Sequence, residues 1–345
     1  MKVLMIGPSS QAKGGIATVI KNFEQGFNNP DIELKVLTSW KEGNAFKRLW
    51  VFIECLCSYI AQLCFGGVSA VHLHVAQDGS FYRKMIFLML GKLFGKSVIL
   101  HFHASSFDVF WNKQSRRGQA FIKRSLNRAD NIVVLSEEWA VFYRSITTTT
   151  VTIINNAVNV PEQTTYDANS HNIIALGRLG QRKGTYDILK IAPQLKLKFP
   201  EAVIHLYGDG DIKEIQALIT QQQLSNVKIG GWLTDSEPVI KTAVMHLLPS
   251  YHEGMPMAIL ESMAQGVPNI STTVGGIPQV LAHKQNGLLI TPGDSQALYE
   301  AVALLLNNRD LCRDISEKAH ATIYTHFSLT HYHEQWSQLY TNYSN

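Results

Sequence analysis

The sequence predicts an α/β protein built as two doubly wound, parallel-sheet domains facing a central cleft, and three observations carry that expectation. The chain has 345 residues, more than one hydrophobic core usually supports. Short β-branched runs alternate with longer helical patterns, as parallel strands joined by crossover helices require. A polar interval at 161–170 then separates six such runs from six more.

The first series of runs is 3–6, 34–37, 70–75, 97–101, 131–135 and 151–154. The second is 172–176, 202–207, 227–229, 244–248, 269–271 and 287–290. The expected domains are therefore 1–165 and 166–326. Near the end, Phe327, Leu329, Tyr332, Trp336, Leu339, Tyr340 and Tyr343 follow an i, i+3, i+4 spacing. They read as a closing amphipathic helix over about 327–345 that packs back on the first domain. Open α/β sheets bind ligands beyond the carboxyl ends of their strands, so the site should draw residues from both halves.

Hydrophobic residues make up 46% and charged residues 17%, where about 25% charged is usual. Disorder is excluded, and a large core or an apolar surface is implied. The four cysteines, Cys55, Cys57, Cys64 and Cys312, form no Cys-x-x-Cys pair and read as reduced, buried thiols of a cytosolic protein. The apolar run 3–6 stops at Gly7-Pro8, too short for a signal peptide. The runs 49–65 and 85–94 are broken by Glu54, Ser58, Gln62 and Lys92, short of the ~20 apolar residues of a spanning helix. No transmembrane segment is expected, and a cytoplasmic location is.

Charge is unevenly placed within the net +4. Residues 47–128 hold twelve Lys or Arg against Glu54, Asp78 and Asp108. Interleaved with Trp50, Phe87, Trp111 and Phe121, this segment fits a face resting on anionic lipid headgroups, where each cation contributes ~1 kcal/mol. A solvated basic face around an ordinary core is the alternative. Nucleic acid ranks lowest, because no nucleic-acid-binding motif accompanies the charge.

Three segments carry chemistry. After the first run, Gly14-Gly15 stands before a helical pattern from Ile16. Glycines at a helix N-terminus let amides approach an anion, although the spacing matches neither Gly-x-Gly-x-x-Gly nor a P-loop. After the seventh run comes Gly177-Arg178-Leu179-Gly180-Gln181-Arg182-Lys183-Gly184. An Arg fork and a Lys point charge beside a helix start suit a diphosphate. In the third, Pro249 to Ala264, Pro256 suits the first turn of a helix, which puts Gly254 and Met255 at its free amides and Glu253 just before it. Glu261 lies inside that helix on an apolar run and needs a hydrogen-bond partner. Sugar and ribose hydroxyls would serve both carboxylates, whereas a capping Glu253 and a solvent-facing Glu261 are the plain alternative. The pairs His72/His74 and His101/His103 each face one side of a strand, a geometry that could suggest metal. No nearby Asp or Cys completes a set, and one histidine of each pair reads as structural.

These segments resemble the retaining glycosyltransferases of the GT-B fold, family four, which contains many bacterial polysaccharide and lipid-linked sugar transferases. Glu253 and Glu261 match the family's Glu-x7-Glu motif, and Gly14-Gly15, residues 177–184, Tyr207-Gly208-Asp209-Gly210 and Gly275-Gly276-Ile277-Pro278-Gln279-Val280 are similar too. The resemblance spans nearly the whole chain, specific in the second domain and looser in the first. It implies two Rossmann-like domains, acceptor-binding then donor-binding. By it, Arg178 and Lys183 hold the donor diphosphate, and Glu261 the ribose. Glu253 with Gly254 and Met255 holds the donor sugar, Gly15 approaches the phosphate, and His103 faces the transferred sugar. The 230–233 loop corresponds to the part that cradles the base. Glu253, His103, Arg178 and Lys183 are thus the expected catalytic set, with no metal and no cofactor. Gln265 and Gln279 depart from the family pattern. The implied activity is metal-independent, retaining transfer of a hexosyl unit, with a UDP-sugar favoured as donor. The acceptor is read from the first domain: the basic, aromatic region 47–128 suggests a saccharide carried on a polyprenyl diphosphate at the inner face of the plasma membrane, with a free saccharide as the other acceptor. Capsule, lipopolysaccharide O-chain or exopolysaccharide assembly is the implied setting. A nucleotide-sugar epimerase of similar architecture and a non-catalytic nucleotide-sugar-binding protein are the rivals.

Overall fold

The structure, a computed structural model, describes residues 1–343. The chain divides into two compact units, one formed by Met1–Ala157 with the helix that starts at Leu329, the other by Val158–Ser328.

In the first unit the order is β1 (Lys2–Pro8), α1 (Gly15–Gly26), β2 (Glu33–Trp40), α2 (Ala45–Phe65), β3 (Ala70–Val75), α3 (Gly79–Leu93) and β4 (Ser97–Phe102). Then follow α4 (Phe107–Asn112), α5 (Arg116–Leu126), β5 (Asn131–Val134), α6 (Glu137–Ile146) and β6 (Val151–Ile153). The strands form one parallel sheet in the order β2-β1-β3-β4-β5-β6. Strands β3 and β5 are buried along their whole length, as expected of a sheet covered on both faces.

The second unit runs β7 (Asn172–Leu176), a 3-10 turn (Gln181–Lys183), α7 (Thr185–Lys198), β8 (Val203–Tyr207), α8 (Ile212–Gln221), β9 (Val227–Gly231) and α9 (Glu237–Ile240). It continues β10 (Ala243–Leu248), α10 (Met257–Ala264), β11 (Asn269–Thr272), α11 (Ile277–Val280), β12 (Leu288–Ile290), α12 (Ser295–Asn307) and α13 (Arg309–His326). Its sheet is parallel too, in the order β12-β11-β10-β7-β8-β9. The final helix, α14 (Leu329–Thr341), belongs to the first unit, where its buried face of Tyr332, Trp336, Leu339 and Tyr340 packs against α1.

The unit boundary falls at 157/158 rather than 165/166, because residues 158–165 run with the second unit: the Val158 amide donates to the Phe327 carbonyl at 3.0 Å and His320 Nε2 bonds the Pro161 carbonyl at 2.8 Å, and the rest of the polar interval is bound to the second sheet. Tyr166 Oη donates to the Val244 carbonyl at 2.9 Å and Ser170 Oγ to that of Thr242 at 2.6 Å, while Ala168 is buried. A residue series read as a linker is thus an edge of the second core. The return is at 328/329, where Val158 bridges Ser328.

Helix α2 departs from two expectations. It has 21 residues with a mean hydropathy of 1.4, and by length and composition alone could cross a membrane, because Glu54 is too isolated to break its apolar character. One stripe, Val51, Cys55, Tyr59 and Leu63, is buried and packs beside β2 and α3, with Tyr59 Oη donating to the Phe87 carbonyl. A second apolar stripe, Phe46, Leu49, Trp50, Ile53 and Ile60, is exposed. Cys57 and Cys64 lie on that outer side and are exposed, so only Cys55 and Cys312 are buried thiols.

Candidate active site

In each unit, neighbouring strands at one point of the sheet continue to opposite sides. In the second sheet that point is between β7 and β10, where the crevice at the carboxyl ends is the expected ligand position of a doubly wound fold. The loop after β7 supplies Arg178, Arg182 and Lys183, and the loop after β10 supplies Ser250 and Glu253. Two glycines make the arrangement possible. Gly184, at φ +70°, lies where a Cβ would run into the Pro249 carbonyl, and Gly275, at φ +58°, where one would run into the Glu253 carbonyl. Only glycine fits both the left-handed backbone and the close approach.

Glu253 is buried, at 5% exposure. Lys183 Nζ lies 2.6 Å from its Oε1, Ser250 Oγ donates to the same oxygen at 2.7 Å, and Arg182 Nη1 is 3.8 Å from Oε2. Arg182 also donates to the His252 carbonyl and accepts, through its own carbonyl, the Tyr251 amide. Below the two loops, buried Asp187 accepts from Tyr251 Oη at 2.8 Å and Ser295 Oγ at 3.1 Å and pairs with Lys190. Arg178 is exposed and makes no ion pair among the described residues.

Glu261, on α10, accepts from Ser236 Oγ at 2.9 Å. Burial, together with the nearby Asp235 charge, raises its pKa, and the Ser236 hydrogen bond partly offsets this. Pro256 is the N-cap of α10, with extended ψ of 121°, rather than its first helical residue. The amides at the helix end are therefore those of Met257 and Ala258, while Gly254 and Met255 sit in the loop before it. That loop is tied to the Gly275-Gly276 turn, since the Gly276 amide donates to the Gly254 carbonyl.

In the first sheet the switch lies between β1 and β3. Gly15 begins α1 there behind Gly14, which has φ +111° and offers no side-chain cap. His103, just past β4, is joined to His74 through Nε2 and Nδ1 at 2.8 Å, and burial pushes its pKa down to about 3. His72 bonds Tyr340 Oη at 2.6 Å and His101 Nδ1 at 3.1 Å. Burial holds His72, His74 and His101 well below the usual imidazole range, which favours the neutral form of the rings. Ligand atoms of His72, His74 and His101 lie within 4.8 Å of one another. His72 engages both ring nitrogens in these bonds, leaving His74 Nε2 and His101 Nε2 as the unpartnered ones. Such a donor set is a hydrogen-bonded imidazole chain packed under Trp336 and fits poorly with a preformed tetrahedral metal site.

The structure thus brings Lys183 and Glu253 into contact, leaves Arg178 free on the same loop, and gives Glu261 a serine partner. Sequence reasoning passed over Arg182, whose signal was its place beside Lys183, and Ser250, three residues before Glu253 on a loop after a strand. Ser236 and Asp187 had no local signal.

Two doubly wound parallel sheets, each with its loops at a switch point, define the GT-B class, and comparison with known proteins agrees. Residues 170–308 match the family described as Glycosyl transferases group 1. A lipopolysaccharide core biosynthesis glycosyltransferase, LpsE, of Rhizobium meliloti is 28% identical over 163 residues, 47% of each chain. The chain thus spans about half the length of that relative. An uncharacterized glycosyltransferase of Methanocaldococcus jannaschii is 25% identical over 337 residues, 92% of each chain. Among solved structures, Anabaena HepE in complex with UDP-glucose superposes with a TM-score of 0.80 at 18% identity, over 99% of this chain and all of that one.

Proposed function

We propose that this protein transfers a hexosyl unit from a nucleotide diphosphate sugar, a UDP-sugar by preference, to a hydroxyl of a saccharide acceptor with retention at the anomeric carbon, in bacterial surface polysaccharide assembly. The observation that carries the reading is the second switch point, where Lys183 and Arg182 close on the buried carboxylate of Glu253 and Arg178 stands on the same loop without an ion pair among the described residues. A departing diphosphate needs preorganised positive charge above all. Arg178 is free to chelate its oxygens, and Lys183 and Arg182 stand a side chain away. Glu261 with Ser236 suits the ribose hydroxyls, and Glu253 those of the sugar. The C1–O bond to the β-phosphate breaks as the acceptor oxygen bonds C1 from the same face, and the acceptor proton passes to the leaving phosphate oxygen. Because side-chain cations carry the neutralisation, the reaction is metal-independent. The fold shared with HepE, crystallised in complex with UDP-glucose, and the similarity to LpsE, a lipopolysaccharide core biosynthesis glycosyltransferase, support the donor and the setting.

The acceptor is presented at the cytoplasmic face of the membrane. The exposed stripe of α2, with Lys47 and Arg48 at its start, supports peripheral attachment through the first unit, apolar side chains entering the headgroup region and cations facing anionic lipid. Two measurements test the reading. In a thermal-shift panel, UDP alone among UDP, GDP, ADP and CMP should stabilise the protein, and Glu261→Ala should abolish the shift. Co-sedimentation with anionic vesicles should be lost in Trp50→Glu. Stabilisation by none of the nucleotides would reject the donor assignment.

A further inference from the structure

The first unit has a partly open pocket of about 350 Å³ at its own switch point, beyond the ends of β1, β2 and β3. Lys13, Gly14 and Gly15 line it on the α1 side, and His74, Arg83 and Lys84 on the other. No lining residue carries a carboxylate. Lys84 is 3% exposed, yet among the described residues its ammonium has only the Ser39 hydroxyl at 2.5 Å, itself donating to the Gly7 carbonyl, and the Phe87 ring at 5.8 Å. Arg83 Nε is buried without a partner, and so is Nε2 of His74, a residue 1% exposed. The N-terminal amides of α1 have no capping side chain and no acidic residue in the first turn.

A buried ammonium without a counter-charge is costly, and here a second cation and a helix N-terminus converge on the same space. The missing component is an anion with several acceptor oxygens, which a guanidinium, an ammonium and backbone amides bind together. We propose that this pocket binds a phosphoryl group carried by the acceptor, so that the acceptor is a phosphorylated saccharide or a lipid diphosphate saccharide rather than a neutral glycan. The inference rests on the glycosyltransferase reading above and specifies its acceptor class. The donor diphosphate, which the resemblance brings to Gly15, is the competing occupant.

The test uses the full chain saturated with UDP, which occupies the donor site, and titrates inorganic pyrophosphate by calorimetry. A remaining binding event, weakened at least ~10-fold by Arg83→Gln as expected for loss of one charge-assisted contact, supports the proposal. The exposed Lys13→Gln variant should weaken it less, and circular dichroism checks that both fold. Loss of all pyrophosphate binding under UDP, or equal binding by Arg83→Gln, overturns it. In turnover assays, Arg83→Gln should raise KM for the phosphate-bearing acceptor ~10-fold and leave that for UDP-sugar unchanged. The reverse pattern assigns the anion to the donor and also overturns the proposal. A soluble sugar phosphate and a polyprenyl diphosphate saccharide, run in parallel, distinguish the two sources of the phosphoryl group. Equal use of a neutral saccharide sinks the inference while leaving the transferase reading intact. Pyrophosphate binding without transfer to any acceptor rejects the transferase reading, and with it the acceptor assignment, and leaves only an anion site.

Discussion

The two switch points solve the same electrostatic problem in opposite ways. In the second unit the cations have a resident carboxylate: Lys183 and Arg182 close on Glu253, with Ser250 completing the oxygen shell. In the first unit Lys84 and Arg83 have none, and Lys84 titrates at about 7 because burial penalises its charge. A cation held by an acid is preorganised without ligand and must exchange partners when a phosphate arrives. A cation with no acid leaves the site destabilised until the ligant anion binds. The first arrangement suits a group whose charge changes during reaction, and the second a group that is only held.

The largest effect separating the sites is expected at Arg178, which is free to meet a developing charge. Arg178→Ala should lower turnover at least ~100-fold, as removal of one oxyanion donor does, with an unchanged circular dichroism spectrum; initial rates with UDP-sugar provide the check. Next comes Lys183→Met, which leaves a buried Glu253 with only Ser250 and a distant Arg182. Chemical denaturation should show a loss of about 3 kcal/mol, the low end for an orphaned buried charge.

Lys84→Met should have the opposite sign. The folded pKa of Lys84 is depressed to about 7 from an ordinary 10.5, so the unfolded chain binds more protons between those values and wild-type stability rises with pH there. The groups facing the ammonium are Arg83 on its own helix, Cys55 on α2 and His74 on β3. Below pH 7 the full penalty acts, and Lys84→Met should melt higher than wild type; the gap should close as pH approaches 10. A gap independent of pH would show that packing, not charge, sets it. The smallest effect is that of a chelator. Incubation with EDTA followed by dialysis should leave the transfer rate unchanged if side-chain cations supply the charge, as proposed above.

The strands were legible because parallel, doubly covered sheets demand continuous β-branched runs, and Ala70–Val75 and Asn172–Leu176 stand where the pattern puts them. The second-unit motif was legible because its chemistry is local: Lys183 and Glu253 each sit beside glycines whose backbone the site requires. The Lys84–Ser39 contact was not, since it joins residues 45 apart, one on α3 and one on β2. Cys57 and Cys64 were misplaced for a related reason. On a helix with two apolar stripes, hydrophobicity alone does not say which stripe faces the sheet. The polar interval misled in the other direction, because Tyr166 and Ser170 use their hydroxyls to join the second core.

The pairing of Val158 with Ser328, reinforced by the Val158 amide donating to the Phe327 carbonyl at 3.0 Å, brings the beginning and end of the second unit side by side. That unit is therefore a cassette: it can be cut out or exchanged at two adjacent junctions without rethreading a strand. The first unit has no such independence, since its core is completed by α14 only after the whole cassette has been synthesised. Whatever the second unit recognises can in this way be traded between relatives as a block, while a change in the first unit has to keep its fit to a helix that arrives last.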